Sequence, residues 1–78
     1  MSAHSPEEER LQRLLRELRV ERGLTQVDLA AKVGEPQQVI SKIENGHRRL
    51  YATQLFEYVN DGFGLSVVQF ARLYEKSG

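Results

Sequence analysis

The sequence predicts an all-α fold of five short helices, and three observations carry that expectation. Apolar residues recur at spacings of three and four, as in Leu11, Leu14, Leu15 and Leu18. Residues that favour helix starts stand before these stripes, at Ser5, Thr25 and Ser66. The few glycines and prolines sit at the margins of the stripes as punctuation. The chain has 78 residues, enough for one domain (1–78) with a modest core near the lower limit of easy stability, a limit that dimerisation would ease.

Residues 1–4 read as a frayed end. Ser5-Pro6-Glu7-Glu8 is a helix start, with Ser5 as cap, Pro6 in the first position and Glu8 three residues past the cap. Three consecutive glutamates there suit the positive end of the helix dipole. The leucine stripe continues this helix to about Arg22, with Gly23 as its stop. Alternating Glu and Arg on the other face read as a solvated, ion-paired surface.

The stretch from Gly23 to Gly46 reads as two short helices joined by a tight turn. Thr25 caps the first, and Asp28, three residues on, completes a capping box. Leu29, Ala30 and Val33 form its stripe, and Gly34 supplies a left-handed stop. The second is expected to begin at Pro36, whose missing amide hydrogen would have no partner in a first turn. Val39, Ile40 and Ile43 form its buried stripe, and Asn45-Gly46 closes it. Its other face carries Gln37, Gln38, Ser41 and Lys42. Such a face is ordinarily just wet, but these side chains also suit base edges. Gln pairs with adenine through two hydrogen bonds, Lys reaches guanine acceptors and Ser adapts to either.

Beyond the basic loop His47-Arg48-Arg49-Leu50, a fourth helix is expected over Ala52 to Asn60, with Leu55, Phe56 and Val59 inward, Tyr51 or Tyr58 near its edges and Asp61-Gly62 at its end. Ser66 caps a fifth helix, Val67 to Lys76. There Val67, Phe70, Ala71 and Tyr74 make the core stripe, while Val68 and Leu73 point elsewhere. That surplus apolar surface suggests a partner, most simply a second copy of the chain.

The spacing of Gly23-Leu24-Thr25-Gln26, Leu29-Ala30, Gly34, Ile40-Ser41-Lys42-Ile43 and Glu44-Asn45-Gly46 resembles the helix-turn-helix family of lambdoid phage repressors and Cro, the Xre-like bacterial regulators. The resemblance covers about residues 11–60, with the helix-turn-helix core at about 25–45. It implies a compact five-helix DNA-binding domain whose recognition helix, about 36–45, lies in the major groove. It further implies that Gln37, Gln38, Ser41 and Lys42 face bases. Gln26 and Asn45 would touch phosphates, and Arg19 would form an internal ion pair with Glu44. Arg48 and Arg49 would reach the flanking phosphates. The family usually has a polar cap where this chain has Pro36.

Net charge is zero, which at first counts against a nucleic-acid partner. Residues 23–50, however, hold a one-unit basic excess, with Lys42, Arg48 and Arg49 clustered at or after the proposed reading helix. A local basic strip and a steep loss of affinity with salt are expected. The chain lacks cysteine, and its two histidines are isolated, so no disulfide and no metal or other cofactor is expected. No apolar run approaches membrane-spanning length, and the acidic, polar start does not read as a signal peptide. A cytoplasmic location fits.

These features imply a sequence-specific transcriptional regulator, a homodimer on a palindromic operator. Its single-domain relatives would include Cro-like repressors, restriction–modification controller proteins and antitoxins. The alternative is an antitoxin that neutralises a toxin protein through surfaces away from DNA. An enzyme is the weakest reading, because no phosphate loop, nucleophile set or paired carboxylates are present.

Overall fold

The computed structural model describes residues 5–77; the expected frayed end at 1–4, with His4, lies outside them. Five α-helices follow one another: α1 (Pro6–Glu21), α2 (Gln26–Val33), α3 (Gln37–Glu44), α4 (Ala52–Glu57) and α5 (Val67–Lys76). No strand occurs among the described residues.

Local chemistry explains most of the boundaries. The Ser5 hydroxyl accepts the Glu8 amide at 3.2 Å, opening α1 behind Pro6. At α2 the Thr25 hydroxyl accepts the Asp28 amide at 3.0 Å, while the Asp28 carboxylate accepts the Thr25 amide at 2.9 Å. The Thr25 backbone amide foremost, and the nearby Thr25 hydroxyl next, hold the Asp28 carboxyl below its ordinary value. Gly34 ends α2 in the left-handed region at φ 71°. Ser66 and Gln69 form the same reciprocal cap on α5, at 3.1 and 2.8 Å.

Pro36 departs from expectation. It is the cap residue of α3 and not its first helical residue, with φ −64° and ψ 150°, and no side chain caps that end. Its ring fixes φ but leaves ψ free to be extended, so helical geometry starts at Gln37.

The fourth helix departs further. Regular α-helix stops at Glu57, and the chain widens into a π turn over Tyr58–Gly62, closed by the Phe63 amide on the Tyr58 carbonyl at 2.9 Å. Tyr58 is turned inward and is almost wholly buried, whereas Phe56, expected inside, is 46% exposed. Gly62 is needed for close approach and not for a left-handed stop: a Cβ there would lie 2.7 Å from Leu29 Cδ1. Gly62→Ala is therefore expected to lower stability by about 1–3 kcal/mol through overpacking, read from urea unfolding. An unchanged midpoint would show that Leu29 yields freely.

The core is one cluster drawn from α1, α2, α3, the π turn with Phe63, and α5, with Leu55 of α4 half-buried against it. Leu14, Leu15 and Leu18 of α1 meet Leu29, Ala30 and Val33 of α2, Ile40 and Ile43 of α3, Tyr58, Val59 and Phe63, and Phe70 of α5. Between α1 and α5, the Arg10 guanidinium lies 4.1 Å over the Tyr74 ring, whose hydroxyl donates to the Glu7 carbonyl at 3.1 Å. On α5, Leu73 is half-buried and packs against the core. Val67 and Ala71 are exposed instead, so the inward stripe is Phe70, Leu73 and Tyr74.

The Tyr58 hydroxyl is buried without a hydrogen-bond partner. Burial, with the negative charges of Glu44 and Glu35 adding, pushes its phenol far above the ordinary tyrosine range. A raised folded-state value means that the folded chain holds this proton more tightly than the unfolded chain. Its contribution is thus complete below about pH 10 and is lost as pH rises beyond. Urea melts above about pH 10 should show this alkaline fall, and Tyr58→Phe should flatten it with little loss of stability at neutral pH. An equally steep fall in the Phe variant would assign the effect to other groups.

Candidate nucleic-acid interface

Helical spacing gives α3 two unlike faces. Ile40 and Ile43 are buried, with Val39 packed beside them, which fixes the helix against the core. Gln37, Gln38, Ser41, Lys42 and Asn45 lie at i, i+1, i+4, i+5 and i+8, on the opposite flank. Gln37, Gln38, Lys42 and Asn45 are exposed and Ser41 is half-buried. The Asn45 amide also lies 3.4 Å from the Ser41 hydroxyl. Two glutamines and a lysine are thus exposed on a helix held from behind by the core.

The bracing is electrostatic as well as apolar. Arg19 of α1 and Glu44 at the end of α3 form a two-pronged pair, Nε to Oε2 at 2.7 Å and Nη2 to Oε1 at 3.1 Å. Their side chains are only 11% and 3% exposed. The remaining Arg19 prong donates to the Leu24 carbonyl at 2.8 Å, in the turn before α2. A guanidinium's planar fork suits this three-way attachment, which an ammonium could not reproduce. Glu44 Oε1 also accepts the Gln26 amide at 3.1 Å, and Gln26 Oε1 accepts the Gln37 amide at 3.1 Å. Gln26, half-buried at the start of α2, therefore sits beside the exposed flank of α3 and is joined to it through Gln37. No sequence pattern beyond residue type signals that link.

After α3 the chain turns at Gly46, and the His47 amide donates to the Lys42 carbonyl at 2.8 Å. His47 and Arg49 are exposed and Arg48 is half-buried. Arg49 Nε lies 3.8 Å from Glu8 Oε1, so part of the basic loop leans on the start of α1. Lys42 on the exposed flank of α3 is thus followed in the chain by two further cations, Arg48 and Arg49, the second of them beside Glu8.

Val68 and Leu73 lie on α5, away from this flank in the chain. Val68 is 61% exposed. Leu73 is half-buried beside Leu14 and Leu18, so it offers less free surface than its spacing suggests. Phe56 and Val67, both expected inside, are exposed, and so are Val20 and Val27, which the sequence reading did not single out. A usable signal for Phe56 was present: Leu55, Tyr58, Val59, Gly62 and Phe63 keep three- and four-residue spacing, which leaves Phe56 outside. Among the described residues no cluster of three or more metal-ligating side chains occurs, and no helix is long and apolar enough to cross a membrane.

Comparisons with known proteins agree with this fold. A helix-turn-helix family model matches residues 15–60. No curated protein sequence matches the chain. Among solved structures, the wild-type restriction–modification controller protein C.Esp1396I is similar at 30% identity and a TM-score of 0.88, over 95% of each chain. The same controller protein, as a tetramer in complex with its natural 35 base-pair operator, is similar at 30% identity, TM-score 0.88, over 95% of this chain and 96% of that one. Bound to a 19 base-pair DNA duplex, it gives 30% identity and 0.86, over 94% and 96%. The chain belongs to the Xre-like, lambda-repressor-type helix-turn-helix family of DNA-binding transcription regulators.

Proposed function

We propose that this chain is a cytoplasmic, non-enzymatic regulator that binds a palindromic operator as a homodimer, in the manner of a restriction–modification controller protein. The observation that carries the reading is the α3 flank: Gln37, Gln38 and Lys42 stand exposed on a helix whose other side is sunk in the core. Donor- and acceptor-bearing side chains on such a face are what major-groove reading needs. Gln26, Asn45, Arg48 and Arg49 border it and would take phosphates.

The homodimer is supported by apolar surface on α4 and α5. Phe56, Val67 and Val68 are exposed, and an almost wholly apolar groove runs beside them between Leu11, Leu55, Phe70 and Ala71. Covering that surface with a second copy would place two α3 helices about one DNA turn (~34 Å) apart. The tetrameric operator complex of C.Esp1396I is an assembly of the same kind of chain.

Selection of binding sites from random duplex DNA at two salt concentrations, with sedimentation of the free protein, tests this. A two-fold symmetric site, a dimeric mass and steeply salt-dependent affinity are expected. Enrichment of no sequence at all would overturn the reading.

A further inference from the structure

We propose that Glu8 is a built-in competitor of DNA: its carboxylate holds Arg49, and that hold must loosen before Arg49 takes a phosphate. The inference rests on the reading of Arg49 as a phosphate contact and adds what limits that contact.

The two partners differ in freedom. Glu8 stands in the first turn of α1, which is fastened from two sides. The Ser5 hydroxyl accepts the Glu8 amide at 3.2 Å, and the Tyr74 hydroxyl of α5 donates to the neighbouring Glu7 carbonyl at 3.1 Å. The positive end of the helix dipole also favours an anion there. Arg49 lies between α3 and α4, outside any helix, and its side chain is 42% exposed. Its Nε comes within 3.8 Å of Glu8 Oε1. The next residue, Leu50, packs against the core, so the guanidinium can move by side-chain rotation while the backbone beside it is anchored. A fixed anion thus faces a cation that can swing away.

At 3.8 Å, with both side chains partly exposed, the contact is an ion pair longer than a hydrogen bond. Exposed pairs of this kind are weak, so Glu8 tempers Arg49 without locking it. A phosphate can take the guanidinium fork through two oxygens and so displace the carboxylate. When Arg49 turns to DNA, Glu8 is left beside a polyanion. That cost recurs on every duplex, whatever its sequence. Glu8 therefore holds down the sequence-independent part of binding, which would otherwise spread the protein over unrelated DNA. Base contacts from α3 are untouched.

Binding to the selected operator and to an unrelated duplex is measured by fluorescence anisotropy for five proteins, with thermal unfolding of each. They are the wild type, Glu8→Gln, Glu9→Gln, Arg49→Ala and the Glu8→Gln/Arg49→Ala double variant. Glu8→Gln keeps the backbone amide that Ser5 accepts. Glu9→Gln removes the same charge from an exposed position about 100° further round the helix. Glu8→Gln should tighten both duplexes by about 2–5-fold per protomer, as release of one exposed ion pair allows. Glu9→Gln should give clearly less, and the Glu8 gain should vanish where Arg49 is already alanine. No gain in Glu8→Gln overturns the competition. A gain matched by Glu9→Gln overturns it in favour of net charge, and a gain that persists without Arg49 in favour of direct repulsion of phosphate. In each case weaker binding of both duplexes by Arg49→Ala leaves Arg49 as a phosphate contact. Arg49→Ala that binds both duplexes as tightly as the wild type overturns both readings.

Discussion

Arg19→Ala is expected to cost about 3–5 kcal/mol of folding stability, a large share of what a domain of this size has. The loss has two sources. Arg19 joins α1, the turn before α2 and the end of α3 through its contacts with Glu44 and the Leu24 carbonyl. Removing it also leaves the Glu44 carboxylate, 3% exposed, without its cation. Glu44→Ala should cost a similar amount by stranding the guanidinium. The double variant should cost much less than the two single losses together, because neither charge is then left alone. Such coupling, measured by urea unfolding of the four proteins, would distinguish the pair from a mere set of contacts. Additive losses would contradict it. Such a pair need not add net stability over apolar residues of the same shape; its effect is to fix where α3 sits.

Lys42→Ala should produce the largest loss of DNA affinity among single changes on the reading face, and its size should depend on how many copies bind. A specific base contact contributes about 1–3 kcal/mol of discrimination. A dimer on a palindrome makes the contact twice, so the symmetric site should lose ~2–6 kcal/mol and an isolated half-site only half of that. The loss should fall on the preferred sequence and relax the preference at one position of each half-site. Arg49→Ala should instead weaken all sequences by a similar factor and lower the salt dependence by roughly 1 per contact. Fluorescence anisotropy on the selected site, a half-site and an unrelated duplex separates these patterns. Equal losses on related and unrelated DNA would make Lys42 a phosphate contact.

Much of this architecture is legible in the sequence because local chemistry set it. The Thr25–Asp28 box, Gly34 and the Ser66 cap each act within a few residues, so their residue types were enough to place the helix ends. The separation of Ile40 and Ile43 from Gln37, Gln38 and Lys42 needed only the helical period. What was not legible depended on distant partners. The π turn at Tyr58–Gly62 arises where Gly62 lets the chain close onto Leu29, a contact across 33 positions that no local pattern records. Leu73 packs inward because of what α1 offers it, and Gln26 joins Gln37 only because folding brings Glu44 beside both. The Arg19–Glu44 pairing became an expectation only through resemblance to a family.

In the proposed complex α3 is the element that enters the groove. Backbone amide shifts of the protein, followed by NMR as the selected duplex is added, test this most directly. The largest changes should fall on Gln37, Gln38, Ser41 and Lys42, with smaller ones at Gln26, Asn45, Arg48 and Arg49, and α5 unaffected beyond any change at its dimer contact. Changes concentrated on α1 or α5 with the α3 flank unmoved would contradict it.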